Sequence, residues 1–299
     1  MNLFDKFEKK NDFLVGIDSD GCVFDTMEIK QKECFTPNTI KFFGLQPISK
    51  YARECCLFVN LYSKTRGINR WPALIKEIDY AENREEAKQR HFTLRPLPHL
   101  RKWVAEEKKW NNKKLTEYIA SLSDEEAIKE LTYALEWSKT VDATIKGMVY
   151  GIPPFPMVEE SLNKLSGKAD MLVVSQTPVE ALEREWAEHG VDKYVSMIAG
   201  QEMGTKSEHL KYTIEKGYDL DKVLMIGDAP GDMKAAKSNN ALFYPIIPGQ
   251  EEESWAKFYG EAIDRFFAGT YKGDYEEKLI AEFNKYLPEN PDWKLGNLI

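Results

Sequence analysis

Phe13–Ile17 (FLVGI) is a short, almost wholly apolar run that stops abruptly at Asp-Ser-Asp-Gly. Runs of this length fit strands buried on both faces, as in a parallel sheet, better than strands with one wet face. Three more follow far downstream, at Met171–Val174 (MLVV), Val223–Ile226 (VLMI) and Ala241–Ile247 (ALFYPII), with a weaker one at Tyr194–Ala199. Helical patterns separate them: Val158–Leu165 before MLVV, Val179–His189 after it, then Ser207–Lys216 and Met233–Ser238. Strands alternating with helices predict an α/β fold with a Rossmann-like, mainly parallel sheet as its core.

Between Thr26 and Tyr150 the strand signal gives way to helical spacing. Tyr51, Cys55, Phe58 and Tyr62 recur at that spacing, as do Leu115, Tyr118, Ile119 and Leu122. Ser123 and Glu126 read as a capping box opening the next helix, whose inner face carries Ile128, Leu131 and Leu135. So long a helical run is too much for a crossover connection and predicts an inserted all-helical domain. The chain returns through Gly147, Gly151, Pro153, Pro154 and Pro156, a composition suited to a linker. The expected division is residues 1–26 plus 149–299 for the α/β core and 27–148 for the helical domain. Past Gly249, the aromatics Trp255, Phe258, Tyr259, Phe266 and Phe267 mark helices expected to pack on the core, and the last ten residues read as irregular.

Composition narrows the partners. A hydrophobic content of 42% with seven tryptophans supports packed cores rather than disorder. A net charge of −8 argues against a nucleic-acid partner. The four cysteines include the adjacent Cys55 and Cys56 and no CxxC pair, so they read as buried thiols. No apolar run precedes the charges of MNLFDKFEKKNDF, and no stretch approaches the ~20 apolar residues of a membrane helix, so neither signal peptide nor membrane partner is expected. The expected location is the cytoplasm, and the expected state a monomer or homodimer.

Four strand ends carry or closely precede reactive residues. Ligands of open α/β sheets gather outside the carboxyl ends of the strands, so residues remote in sequence can converge there. Asp18-Ser19-Asp20-Gly21, with Asp25 close behind, sets two carboxylates one residue apart where a strand unwinds, and Gly21 can bring its N–H to an anion. A solvated turn or a calcium loop has the same composition. Ser175-Gln176-Thr177-Pro178 follows MLVV with a hydroxyl at a helix start, which suits phosphate but also ordinary helix capping. Lys206 lies just before a helix, where an isolated lysine is commonly solvated. Gly227-Asp228-Ala229-Pro230-Gly231-Asp232 sets two acids four residues apart, suited to a hard cation or to a plain loop.

In this order the four pieces resemble the haloacid dehalogenase-like hydrolase superfamily, over residues 10–26 and 150–248. The resemblance implies a Mg²⁺-dependent phosphohydrolase acting on a small phosphorylated metabolite. Asp18 would be the nucleophile, forming an aspartyl-phosphate, and Asp20 the general acid and base. Gly21, Ser175, Gln176 and Lys206 would contact the phosphoryl group. Asp18, the Asp20 carbonyl, Asp228 and Asp232 would serve the metal. The helical insertion is similar to the family's cap domain. Two choices stay open: Lys206 is followed by Ser207 where many relatives have proline, leaving Lys211 as a second candidate, and either Ser175 or Thr177 touches the phosphoryl group. Arg66, Asn69 and Arg70, around Gly67, loosely resemble a specificity loop, although a helix-to-helix loop with solvated arginines fits equally. The four histidines have no metal-ligand spacing and read as structural. A phosphomutase of the β-phosphoglucomutase kind shares the same core residues, and a partner-binding protein could keep the same fold without catalysis.

Overall fold

A computed structural model describes residues 3–293. The five strands are β1 (Phe13–Ile17), β2 (Ala169–Val174), β3 (Met197–Ala199), β4 (Val223–Gly227) and β5 (Leu242–Pro245). All pair in parallel, in the order β3-β2-β1-β4-β5. The expected α/β architecture is therefore present, with the first strand of the chain at the centre of the sheet.

The apolar runs are continuous because helices cover both sheet faces. On one face Val15, Ile17, Met171, Val173, Leu224 and Ile226 pack with Leu162, Leu165, Leu182 and Trp186 from the helices Val158–Leu165 and Val179–Glu188. On the other, Leu14, Leu172, Val174, Val223 and Met225 meet Leu210, Ala235 and Ala236 from the helices Lys206–Ile214 and Pro230–Ser238. Alternate side chains of each strand thus go to opposite cores. Gly16 interrupts this alternation for a packing reason. A Cβ there would lie 2.9 Å from Leu210 Cδ2 and 3.1 Å from Met225 Sδ, so the glycine lets the Lys206–Ile214 helix approach the sheet closely.

The chain divides into two compact units. One runs to Met27 and from Gly151 to Pro288, and the other holds Glu28–Tyr150 together with the described residues 289–293. The aromatic segment after Gly249 packs in the sheet unit, with Trp255, Phe258 and Phe266 in the same cluster as Val15 and Ile17. Trp293, by contrast, sits against Phe58 in the helical unit. The rest of the C-terminal stretch read as irregular lies outside the described residues.

Within the helical unit, Trp71 contacts both Trp103 and Trp137 edge-on, with centroids 5.3 and 5.6 Å away. Helix Glu125–Met148 starts one residue later than the Ser123–Glu126 box would place it. Asp124 is its cap, accepting from the N–H groups of Glu126 and Ala127. An ionised carboxylate facing the positive end of the helix does better there than a serine hydroxyl. Residues Lys30–Phe35 form a π-helical turn that periodicity alone does not distinguish from α. All four cysteines are buried free thiols. Among the described residues, no helix is long and apolar enough to cross a membrane.

Candidate active site

Because β2, β1 and β4 are neighbours, the segments that follow them emerge side by side. The ladder extends one residue past β1, where the Asp18 N–H donates to the Ile226 carbonyl at 3.0 Å. The chain then turns sharply. The Ser19 carbonyl accepts from the Val23 N–H at 2.9 Å, and Gly21 takes φ +74°, a left-handed conformation that favours glycine. This turn holds Asp18 at the carboxyl edge of the sheet, where its Oδ1 accepts from the Ser19 N–H at 2.8 Å.

Lys206 comes from the opening turn of its helix. A reciprocal pair starts that helix: Thr205 Oγ1 accepts from the Glu208 N–H, and Glu208 Oε2 accepts from the Thr205 N–H. With the helix seated on Gly16, Lys206 Nζ reaches Asp18 Oδ2 and Asp232 Oδ1, both at 2.6 Å. Asp232 in turn caps its own helix through Oδ2, which accepts from the Ala229 N–H at 3.0 Å. Its side chain lies directly over Gly227, where a Cβ would collide with it. The glycine of Gly-Asp-x-x-x-Asp is therefore a steric requirement of the second acid.

Asp18, Asp228 and Asp232 are 4%, 1% and 0% exposed, and each offers a carboxylate oxygen within 4.8 Å of the others. Three buried carboxylates against one ammonium leave an excess of negative charge away from water. Burial, opposed by Lys206 and reinforced by Asp232, pushes the Asp18 carboxyl up to about 7. Burial raises Asp232 as well. Lys206 shows the opposite balance: burial would lower it, but the Asp18 and Asp232 carboxylates outweigh that and hold it above the ordinary lysine range. An all-oxygen, net-negative donor set of this kind fits a hard divalent cation, whose charge would return the carboxyls to their ionised forms.

A family model described as haloacid dehalogenase-like hydrolase matches residues 96–244. The chain belongs to that superfamily. The match begins after Asp18 and Asp20, and the parallel register of β1 with β2 and β4 is what joins those acids to the matched part. Similar solved structures include a subfamily IA hydrolase of the same superfamily from Geobacter sulfurreducens, at 17% identity over 79% of this chain and 89% of that one, with a TM-score of 0.37. Haloacid dehalogenase-like family hydrolases from Xanthomonas campestris (10% identity, 86% and 93% covered, TM-score 0.44) and Streptococcus pneumoniae (13%, 91% and 98%, 0.43) are others. No curated protein matches the sequence.

The remaining candidate residues of this haloacid dehalogenase-like hydrolase fall into two groups. Asp20 stays in the sheet unit, where Thr26 Oγ1 donates to its Oδ1 and Thr177 Oγ1 donates to its Oδ2 at 2.6 Å. Ser175 is buried at the end of β2, and its Oγ accepts from the Thr177 N–H at 3.2 Å. Gln176 is exposed and donates to the carbonyls of Ser175 and Gly204. Asp25 is exposed, and Lys211 is directed to Glu215 rather than to Asp18. The second group lies in the helical unit and has internal contacts. Arg66 is buried and donates to the Leu61 carbonyl. Asn69 caps helix Arg70–Asn83 and donates to the Trp110 carbonyl. Arg70 pairs with Asp142 at 2.6 Å and lies over the Phe35 ring.

Sequence reasoning missed the support beneath Asp18 and Asp20. Ser19 Oγ donates to Glu185 Oε2 at 3.1 Å and accepts from Trp186 Nε1 at 3.0 Å, which ties the first turn to helix Val179–Glu188. Ser19 lies between two singled-out acids, so its position was a signal; Glu185 and Trp186 look like an ordinary helix. His209 is buried beside Phe4, and burial together with Lys206 pushes it down to about 4, which leaves it neutral.

Proposed function

We propose that this hydrolase is a Mg²⁺-dependent phosphohydrolase that cleaves small phosphorylated metabolites through an aspartyl-phosphate on Asp18. The observation that carries the reading is the division of labour between two acids two residues apart. Asp18 is buried against Lys206, Asp228 and Asp232, whereas the Asp20 carboxyl is held by hydroxyls outside that cluster.

A phosphate monoester dianion and a carboxylate repel strongly at bonding range, so the site must gather positive charge before attack. Mg²⁺ held by Asp18, the Asp20 main-chain carbonyl, Asp228 and Asp232 would supply that neutralisation. Lys206 adds a fixed cation next to the attacking oxygen, already oriented by two carboxylates, so little reorganisation is needed. Asp18 attacks phosphorus in line as the bond to the leaving oxygen breaks. Asp20 gives its proton to that oxygen and then takes one from the water that opens the aspartyl-phosphate. The Ser175 hydroxyl orients a phosphoryl oxygen and Gln176 supports that loop, whereas the Gly21 N–H, expected to face the anion, instead donates to the Phe24 carbonyl at 2.8 Å and closes the turn.

The test is phosphate release from a panel of phosphorylated metabolites, with and without Mg²⁺. Asp18→Asn is expected to abolish turnover, and Asp20→Asn to cut it by ~10²–10⁴, with the protein still folded by circular dichroism. Near-normal activity in folded Asp18→Asn would overturn the reading. Isomerisation that needs a bisphosphate primer, without net phosphate release, would identify a mutase instead.

A further inference from the structure

The two hydroxyl contacts on Asp20 come from different parts of the sheet unit. Thr26 is wholly buried at the end of the turn after β1, and Thr177 stands in the loop after β2. Thr177 is itself rigidly supported. Its carbonyl accepts from the Gln201 N–H at 3.1 Å, and its N–H donates to Ser175 Oγ at 3.2 Å. Gly200 closes the arrangement from β3, because a Cβ there would lie 2.6 Å from the Thr177 carbonyl oxygen and 2.8 Å from the Val179 nitrogen. The Thr177 backbone is therefore held by the loops that follow both β2 and β3, while its side chain crosses to Asp20.

We infer that Thr177 is a positioning residue for Asp20, aiming its carboxyl at the leaving group, rather than a ligand of the phosphoryl group. The inference deepens the proposed phosphohydrolase reading and rests on it. Thr177 Oγ1 has a single proton, and that proton is directed at Asp20 Oδ2. With one oxygen held by Thr177 and the other by Thr26, rotation of the carboxyl about its terminal bond is blocked. A hydroxyl suits this role because it donates to the ionised carboxylate and equally to the carbonyl oxygen of the protonated acid, which leaves the acid's own proton for the leaving group. Thr177 can therefore keep hold of Asp20 before and after the proton has moved. Ser175, buried at the strand end, remains the hydroxyl available to the phosphoryl group.

The consequence is specific to the proton transfer. Leaving groups that depart readily as anions need little help from Asp20, and basic ones need all of it. The experiment compares wild type, Thr177→Val and Thr177→Ser on 2,4-dinitrophenyl, 4-nitrophenyl and phenyl phosphate with saturating Mg²⁺. The parameter compared is kcat/KM, which reports the steps up to departure of the leaving group and excludes the later hydrolysis of the aspartyl-phosphate. Thr177→Val is expected to lose on the order of 10- to 100-fold on phenyl phosphate, part of the ~10²–10⁴ that a positioned acid contributes, and less than about threefold on the dinitrophenyl ester. Thr177→Ser is expected to stay within about threefold of wild type on all three, since it restores the hydroxyl. An equal loss across the series, or a loss confined to KM, would overturn the inference and return Thr177 to phosphoryl binding. Should wild type release no phosphate from any ester, the phosphohydrolase reading fails and this one with it.

Discussion

Glu77 shows how one residue can couple the stability of this protein to pH without touching the reaction. It lies in the helical unit at 4% exposure, accepting from Asn60 Nδ2 at 2.6 Å and from the Cys56 thiol at 3.3 Å. Burial outweighs those bonds and pushes its carboxyl from 4.5 up to about 7. A folded state that binds the proton more tightly than the unfolded chain is most stable, for this group, below about pH 4.5. That contribution falls as pH rises to about 7 and is constant above. Glu77→Gln is therefore expected to flatten the profile between pH 5 and 7, closing a gap of at most a few kcal/mol in urea denaturation. A wild type and a variant with parallel profiles would show that Glu77 titrates normally. The candidate site residues were legible at this scale for a simple reason: Asp18, Asp20, Lys206, Asp228 and Asp232 carry charge at or near the ends of apolar runs. Thr26 was not, and Thr177 was legible only as an alternative phosphoryl contact, because the partner of a threonine beside a turn is not written in the local sequence.

Elements position those residues, and the tolerances are set by glycines. The Lys206–Ile214 helix approaches β1 only because Gly16 has no side chain, and its first turn carries the lysine that reaches Asp18. Gly16→Ala places a methyl 2.9 Å from Leu210 Cδ2, a flexible side-chain end that can give way at a cost. The expected result is a loss of ~1–3 kcal/mol, as for other overpacked cores, with reduced kcat from displaced Lys206. Unchanged stability and turnover would mean that the helix seat is looser than the packing implies. Periodicity located these helices well because each buries one apolar stripe on the sheet. It missed by one residue where competing caps stood adjacent, as at Ser123 and Asp124, since the choice depends on backbone direction.

For the whole molecule, a metal held by the buried acid cluster would be linked to folding. Asp18, Asp228 and Asp232 gather only in the folded sheet unit, so a divalent cation that fits them binds the native state and stabilises it. Mg²⁺ at 100 times its dissociation constant should add ~2.7 kcal/mol, seen as a rise in unfolding midpoint in calorimetry. Asp228→Asn should lose most of that increment while keeping the fold. A midpoint indifferent to Mg²⁺ in wild type would exclude the cluster as its site.

Local chemistry and periodicity were enough to place the strand runs, the helical insertion and the charged residues at strand ends, because burial on two faces, amphipathic spacing and isolated charge are properties of short segments. Tertiary structure alone decided the rest: the order β3-β2-β1-β4-β5 that makes Asp18 a neighbour of Ser175 and Asp228, the choice of Lys206 over Lys211, and the hydroxyls that hold Asp20. Those outcomes depend on distances between residues far apart in the chain, which side-chain chemistry permits but only a folded backbone can set.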